Sequence, residues 1–256
     1  MSNSPIAHPR NVEKALGDLC RLPLMPAAAQ QAMVLANDND SNLQQFCRLV
    51  ESDITLASSI LKLSNSTFFS WGRPIETIDQ AVLRLGLREC QNLMMAVSMR
   101  NLYQQVDPAI KGHCAVLWRH CFLTACFARR LNKELRLDYQ GEEFAAGLLH
   151  DLGRILIAVT MPEAFLQADK MDFIEDAELL PRERRVLELD HCGFGTAYAK
   201  QNRLPFSAIA AIRFHHQPVE ESPDHRGILA LVMVADHLAN HLQRGEAPET
   251  CTLEQN

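Results

Sequence analysis

Seven side chains able to bind a metal ion or carry a proton interrupt apolar segments beyond residue 112 of this 256-residue chain. His150 and Asp151 lie inside Phe144-Ala-Ala-Gly-Leu-Leu-His-Asp-Leu-Gly-Arg-Ile-Leu-Ile157, which is hydrophobic on almost every side. Asp236 directly follows the unbroken apolar run Ile228–Ala235. A carboxylate is costly to bury unless it is paired or binds a metal, so two of them in such settings imply mutual use. His120, His191, His215 and His216 complete the set. Imidazole and carboxylate together suit Fe, Mn, Zn or Mg in a site of one or two ions, not a thiolate zinc site.

Singly, each residue has a plainer reading. With ten histidines in the chain, a His-Asp dipeptide is an ordinary coincidence, and only its apolar setting informs. His120, with Thr124 and Phe127 below it at helical spacing, could be a core histidine bonded to a carbonyl. His215-His216 precedes Gln217-Pro218 and would suit the negative end of a helix dipole. His191, between Asp190 and Cys192-Gly-Phe-Gly195, could sit in a loop or at a helix start.

Helices must position these groups. The lead-in Leu22-Pro-Leu-Met-Pro26 precedes a helix over Ala27–Asn37, and Ser41 with Gln44 forms a capping box for the next. Asp53 caps Ile54–Leu63, Thr77 with Gln80 opens Ile78–Leu85, and Gly86 stops it. Asn65 and Ser66 should pin the Phe68–Pro74 loop. Met94, Met95 and Met99 on the helix Arg88–Tyr103 read as core. Val106–Gly112 is the expected internal boundary. Beyond it the pattern predicts helices over about Cys114–Glu134, Gly141–Val159 (unbroken, ended by Met161-Pro162), Pro181–Leu189, Phe194–Gln201, Phe206–His216 and Gly227–Gln243, with a polar stretch at Asp169–Asp176. No strand is needed and no repeat is visible.

Composition narrows the function. A formal net charge of −6 argues against nucleic-acid binding through a broad basic surface. No apolar run approaches the ~18 residues of a membrane span. The first residues carry neither the basic nor the apolar region of a signal peptide. Eight cysteines without a CxxC pair read as free thiols in a reducing cytoplasm, the expected location.

The pattern His120…His150-Asp151…Asp236 resembles the metal-binding signature of the HD phosphohydrolase superfamily, and the finer match is to its HDOD family. That match includes Leu22–Pro26, Glu51-Ser-Asp53 through Leu61-Lys-Leu-Ser-Asn65-Ser66, and Ile78–Gly86. It continues in Leu117-Trp-Arg-His120, Ala146–Gly153, His191…Gly195 with Leu204-Pro205, Ile212…His215-His216 with Pro218, and Val234-Ala-Asp236, covering about residues 15–243. The resemblance implies an all-α, multi-helix HDOD fold. Its parts would be an N-terminal extension (1–20), an N-terminal helical subdomain (21–112), an HD-like helical subdomain with the candidate metal site (113–243), and a tail (244–256).

HDOD proteins are bacterial signalling modules in which catalysis is generally undemonstrated or thought lost. The resemblance therefore implies a cytoplasmic regulatory module that binds a divalent metal and a signalling protein or nucleotide. The rival it implies is a metal-dependent phosphohydrolase or phosphodiesterase. There, His120, His150, Asp151 and Asp236 would hold one ion, His191, His215 and His216 a second, and Asp151 and Arg154 would serve catalysis, Arg154 by neutralising charge on phosphate. Two departures from the related HD-GYP phosphodiesterases bear on that rival. Arg154 stands where they carry Lys, and Gln217-Pro218-Val219 replaces their Gly-Tyr-Pro loop. The third reading is a scaffold without any ion, its polar residues paired among themselves.

Overall fold

The computed structural model describes residues 14, 17, 25–36, 43–69, 72–170, 178–217, 225–245 and 251. Cys20, the start of the 22–26 lead-in, Ser41 of the capping box, Ser70 and Trp71 of the loop, 171–176 of the polar stretch, Pro218 and Val219, and most of both terminal segments lie outside the described residues. Among the described residues the regular structure is helical throughout, without a strand. The fold is all-α. No helix among them is long and apolar enough to cross a membrane.

The chain forms two compact units, one of Pro23–Asn101 and one that includes Leu102–Asn256. The two units meet in sequence at Asn101 and Leu102, a few residues before the 106–112 stretch, in which Val106 and Ile110 are buried.

The first unit holds α1 (Ala27–Ala36), α2 (Leu43–Glu51), α3 (Ile54–Ser64), α4 (Ile78–Leu85) and most of α5 (Leu87–Tyr103). In α2, Phe46, Cys47 and Val50 bury one stripe at helical spacing. Asp53 Oδ1 accepts from the Leu56 N–H at 3.0 Å and caps α3. Thr77 Oγ1 accepts from the Gln80 N–H at 3.2 Å, while Gln80 Oε1 accepts from the Glu76 N–H at 2.9 Å. Gly86, at φ 88°, ends α4 in a conformation that a side chain would strain. Met94, Met95 and Met99 are buried.

Asn65 closes α3 and ties down the loop after it. Its amide nitrogen donates to the carbonyls of Leu61 (2.9 Å) and Ile75 (2.7 Å), and its Oδ1 accepts from the Ile75 N–H at 2.7 Å. The side-chain amide thus pairs with Ile75 from both sides, as a second backbone strand would, and fixes both ends of the loop. Replacing it with Ala strands a part-buried N–H and C=O.

The second unit comprises α6 (Lys111–Leu135), α7 (Glu142–Leu149), α8 (Leu152–Thr160), α9 (Pro162–Ala168), α10 (Leu179–Leu187), α11 (His191–Gln201), α12 (Phe206–Phe214) and α13 (Arg226–Gln243). Helix α6 packs on α7 and α13, α7 on α12, and α11 on α8 and α12. The helix expected to run unbroken from Gly141 to Val159 is two helices. The chain leaves helical geometry at Asp151 (φ −95°, ψ 16°), between α7 and α8. Residues on either side of the break are buried on every face, so apolar periodicity has no seam there to reveal it. Pro162 ends one helix and opens the next, its missing N–H being unneeded in a first turn.

From the Asn65 clamp, Asn65→Ala should cost about 2 kcal/mol through lost hydrogen bonds. In a chain of this size that lowers the melting temperature by about 4–8 °C. Calorimetry with parallel metal analysis should show the drop with metal content unchanged; an unaltered melting temperature would contradict the clamp.

Candidate metal centre

The break between α7 and α8 is where the site is built. It presents His150 and Asp151, both wholly buried, at the junction of two helices. His120 lies on the α6 stripe that also buries Leu117, Thr124 and Ala128. His191 opens α11, whose N-terminus is capped by Asp190 Oδ1 accepting from the Gly193 N–H at 2.8 Å. His215 and His216 come directly after α12, and Asp236 lies within α13. Two glycines let these helices meet. A Cβ at Gly147 would come within 3.0 Å of the Ala125 Cα on α6, and one at Gly153 would strike the His191 carbonyl.

The seven residues converge. Asp236 Oδ1 lies 2.8 Å from His120 Nε2 and 3.5 Å from His150 Nε2, and the two imidazole nitrogens are 3.3 Å apart. Asp151 Oδ2 lies 4.0 and 3.8 Å from the same nitrogens. Its other oxygen, Oδ1, lies 3.5 Å from both His191 Nε2 and His215 Nε2, which are 3.3 Å apart. His216 belongs to this second group, its ring centroid 4.1 Å from that of His215. Ligands at ~2.0–2.2 Å from an ion stand about 3.0 Å apart at octahedral angles and about 3.4 Å at tetrahedral ones, so both groups have coordination spacing. Asp151 belongs to both.

Further contacts set the ring orientations. Nδ1 of His150 meets the Gly147 carbonyl at 2.7 Å, and Nδ1 of His215 meets that of Ala211 at 2.9 Å. For His191 the partner is a carboxylate: Glu183 Oε2 lies 2.7 Å from Nδ1 and also accepts from the His191 backbone N–H at 2.9 Å. Such partners hold Nδ1–H away from the centre and leave the Nε2 lone pair for an ion. His120 differs, its Nδ1 meeting the Gln243 side-chain amide nitrogen at 2.9 Å.

Arg154 lies between two carboxylates. One terminal nitrogen donates to Asp151 Oδ2 at 3.0 Å, while Nε and the other donate to Asp169 Oδ2 at 3.0 and 2.6 Å. The guanidinium that the sequence offers for a phosphate is buried here, anchoring Asp151.

The electrostatics are set by these neighbours. Burial works against ionised Asp151, yet Arg154, His150, His215 and His191 together hold its carboxyl well below the usual range. Asp236 is likewise held low against burial, chiefly by His120. Burial opposes charge on His150, but Asp151, Asp236 and the Gly147 carbonyl outweigh it and raise its pKa to about 9. His191 is also raised against burial, by its neighbour Cys192 and by Glu183. Burial pushes His215 and His216 down; for His216, the charge of His215 and His191 adds to it.

Three supporting residues escaped the sequence reading: Glu183, Asp169 and Gln243. Glu183 sits in the charged run Pro181-Arg-Glu-Arg-Arg185, which looks solvated. Its signal was the four-residue spacing Leu179–Glu183–Leu187, which puts it on the buried stripe of α10. Asp169 and Gln243 carry no comparable mark.

Fold and site together define an all-α protein with a buried histidine–aspartate centre. More particularly, the chain belongs to the HDOD family, whose domain model matches residues 22–218. That span holds every ligand candidate except Asp236. A protein of Treponema pallidum (strain Nichols), described as uncharacterized, is 26% identical over 228 residues, in a match covering 89% of this chain and 44% of that protein. The chain thus spans less than half the length of this curated relative. An HDOD domain protein of unknown function from Geobacter sulfurreducens has a similar crystal structure (TM-score 0.76, 25% identity, 93% of this chain and 79% of that one). A phosphohydrolase candidate from Shewanella amazonensis SB2B shares the fold (TM-score 0.73, 22% identity, 95% and 84%).

Metal uptake at this centre should release protons. In the metal-free protein His150 stays protonated up to about pH 9, so an ion competes with its proton below that value. Apparent affinity should therefore rise with pH and level off above about 9. The same raised pKa makes the charged imidazole's stabilisation complete below 6.5, the ordinary value, and lost as pH climbs through about 9. Calorimetric titration in buffers of different ionisation enthalpy measures the released protons. Affinity that stays flat between pH 6.5 and 8.5 would contradict this.

Proposed function

We propose that the chain is a cytoplasmic regulatory module of the HDOD type. Its buried centre holds a divalent ion, and it transmits a signal by binding a protein or nucleotide partner, not by turnover. The observation that carries this reading is a set of ligand groups at coordination spacing with almost no exposure: 0% for His150, Asp151 and His191, 1% for His120, 5% for His215 and 6% for Asp236. The donors fit an ion. Asp151 Oδ1 is a buried carboxylate oxygen without a hydrogen bond, facing two imidazole nitrogens. His120, His150, Asp151 and Asp236 would hold one ion, and His191, His215, His216 and Asp151 another. Imidazoles with carboxylates and no thiolate favour Fe, Mn or Zn, with Mg less suited to so many nitrogens.

Catalysis needs more than an ion. A phosphodiester must reach the centre and find a positive group to hold it, and positioning is a large share of phosphoryl-transfer rates. The nearest guanidinium, Arg154, is engaged by Asp151 and Asp169. The second reading, a metal-dependent phosphohydrolase with Asp151 and Arg154 in its machinery, is favoured by the complete ligand set and by the Shewanella relative. A bound ion would there supply Lewis acidity toward a phosphate.

Metal analysis and a turnover assay separate the readings. Purified protein should carry stoichiometric Fe, Mn or Zn and hydrolyse cyclic-di-GMP and a nucleotide panel negligibly with Mn or Fe added under reducing conditions. Asp151→Ala should remove the metal. Rapid hydrolysis that disappears in Asp151→Ala would establish the enzyme, and protein that stays metal-free in replete medium would leave the scaffold.

A further inference from the structure

The two halves of the centre differ in what already satisfies them. Around His120 the carboxylate oxygens that face the rings already have donors. The Gln243 amide faces His120 Nδ1, which leaves Nε2 as the N–H that meets Asp236 Oδ1 at 2.8 Å. Asp236 Oδ1 also receives the Asn240 amide at 3.4 Å, and Asp151 Oδ2 receives Arg154 at 3.0 Å. An ion entering this half must displace those contacts and switch the tautomer of His120.

Around His191 the arrangement is the opposite. In their neutral forms His191 and His215 both give Nδ1–H away, to Glu183 and to the Ala211 carbonyl, so both Nε2 atoms then face inward as acceptors. They stand 3.3 Å apart and 3.5 Å from Asp151 Oδ1, the carboxylate oxygen that makes no hydrogen bond. With the rings neutral, three acceptors meet there, and one positive charge, a proton or a metal ion, has to sit among them. Glu183 strengthens the demand. It is 2% exposed, and it grips His191 at both the ring and the backbone.

On the reading that the centre holds metal, we propose that the first ion loads on the His191, His215 and Asp151 Oδ1 half, and that Glu183 is its positioning residue. The carboxylate fixes the ring of His191 and makes its Nε2 the stronger donor. Outer partners of this kind are commonly worth 10–100-fold in metal affinity.

The test is Co(II) titration of the full chain, monitored by visible absorption. Wild type should bind a first equivalent tightly and a second more weakly. Glu183→Ala should weaken the first step by about 10–100-fold and change its ligand-field spectrum. Glu183→Gln, which keeps an acceptor oxygen for His191, should recover part of the affinity. Asp236→Asn should remove the weaker equivalent. An Asp236→Asn protein that loses the first equivalent, or a Glu183→Ala protein that keeps it unchanged, would overturn the proposal. Should Glu183→Ala fail to fold, wild type decides. Anomalous scattering from crystals grown with one equivalent of Mn(II) should place the ion among His191, His215 and Asp151, and an ion among His120, His150 and Asp236 would overturn it. A wild-type chain that binds no Co(II) sinks the metal-holding reading itself, an outcome distinct from an ion bound in the other half.

Discussion

One buried carboxylate organises this half of the molecule. Asp151 is wholly buried, and a lone ionised carboxyl in such a place would cost several kcal/mol or take up a proton. It stays ionised because its neighbours favour the charged form from both sides: Arg154 and the His150 ring at Oδ2, the His191 and His215 rings at Oδ1. Each of those neighbours is then constrained in turn. Arg154 needs Asp169, His191 needs Glu183, and His150 and His215 need carbonyls at the ends of their own helices. The helices of the second unit must be arranged so that all these demands are met at once.

That arrangement explains the backbone irregularities. A continuous helix through 150 and 151 would place consecutive side chains about 100° apart and send one of them away from the centre. The break at Asp151 removes that conflict. Gly153, one turn-position beyond, lets the start of α8 lie against the His191 carbonyl, and Gly147 does the same between α7 and α6. Any larger residue at these places would push apart the elements that carry His191 and His120. The glycines therefore serve the carboxylate's coordination shell as much as the core.

Much of this was legible in the sequence, for stated physical reasons. Helix starts at Asp53 and Thr77 and the stop at Gly86 come from single-residue chemistry and stand where the sequence puts them. His120, His150, Asp151, His191, His215, His216 and Asp236 were marked by polar groups in apolar surroundings, and the structure gathers all seven. The break at 150–151 was not legible, because a segment buried on all faces has no periodicity to interrupt. Glu183 was hidden by its charged neighbours, since composition averages over a helix while burial acts on one stripe of it. Gln243 and Asp169 are met only through tertiary contact.

On the proposed reading, the same contacts would separate holding an ion from using one. An open catalytic centre leaves a coordination position and a nearby cation for the substrate. Here the cation, Arg154, is fixed by two carboxylates, and the imidazole nitrogens around Asp151 Oδ1 are buried with it. A positive charge bound among them is stabilised by the whole shell, and its loss would leave like-charged groups and lone pairs opposed at the junction of α8, α11 and α12. Those helices are held together at that junction by glycine contacts too close to absorb repulsion gradually. On the proposed reading, occupancy of the centre would be coupled to how tightly the helices of this unit close, which is a property a signalling module could read.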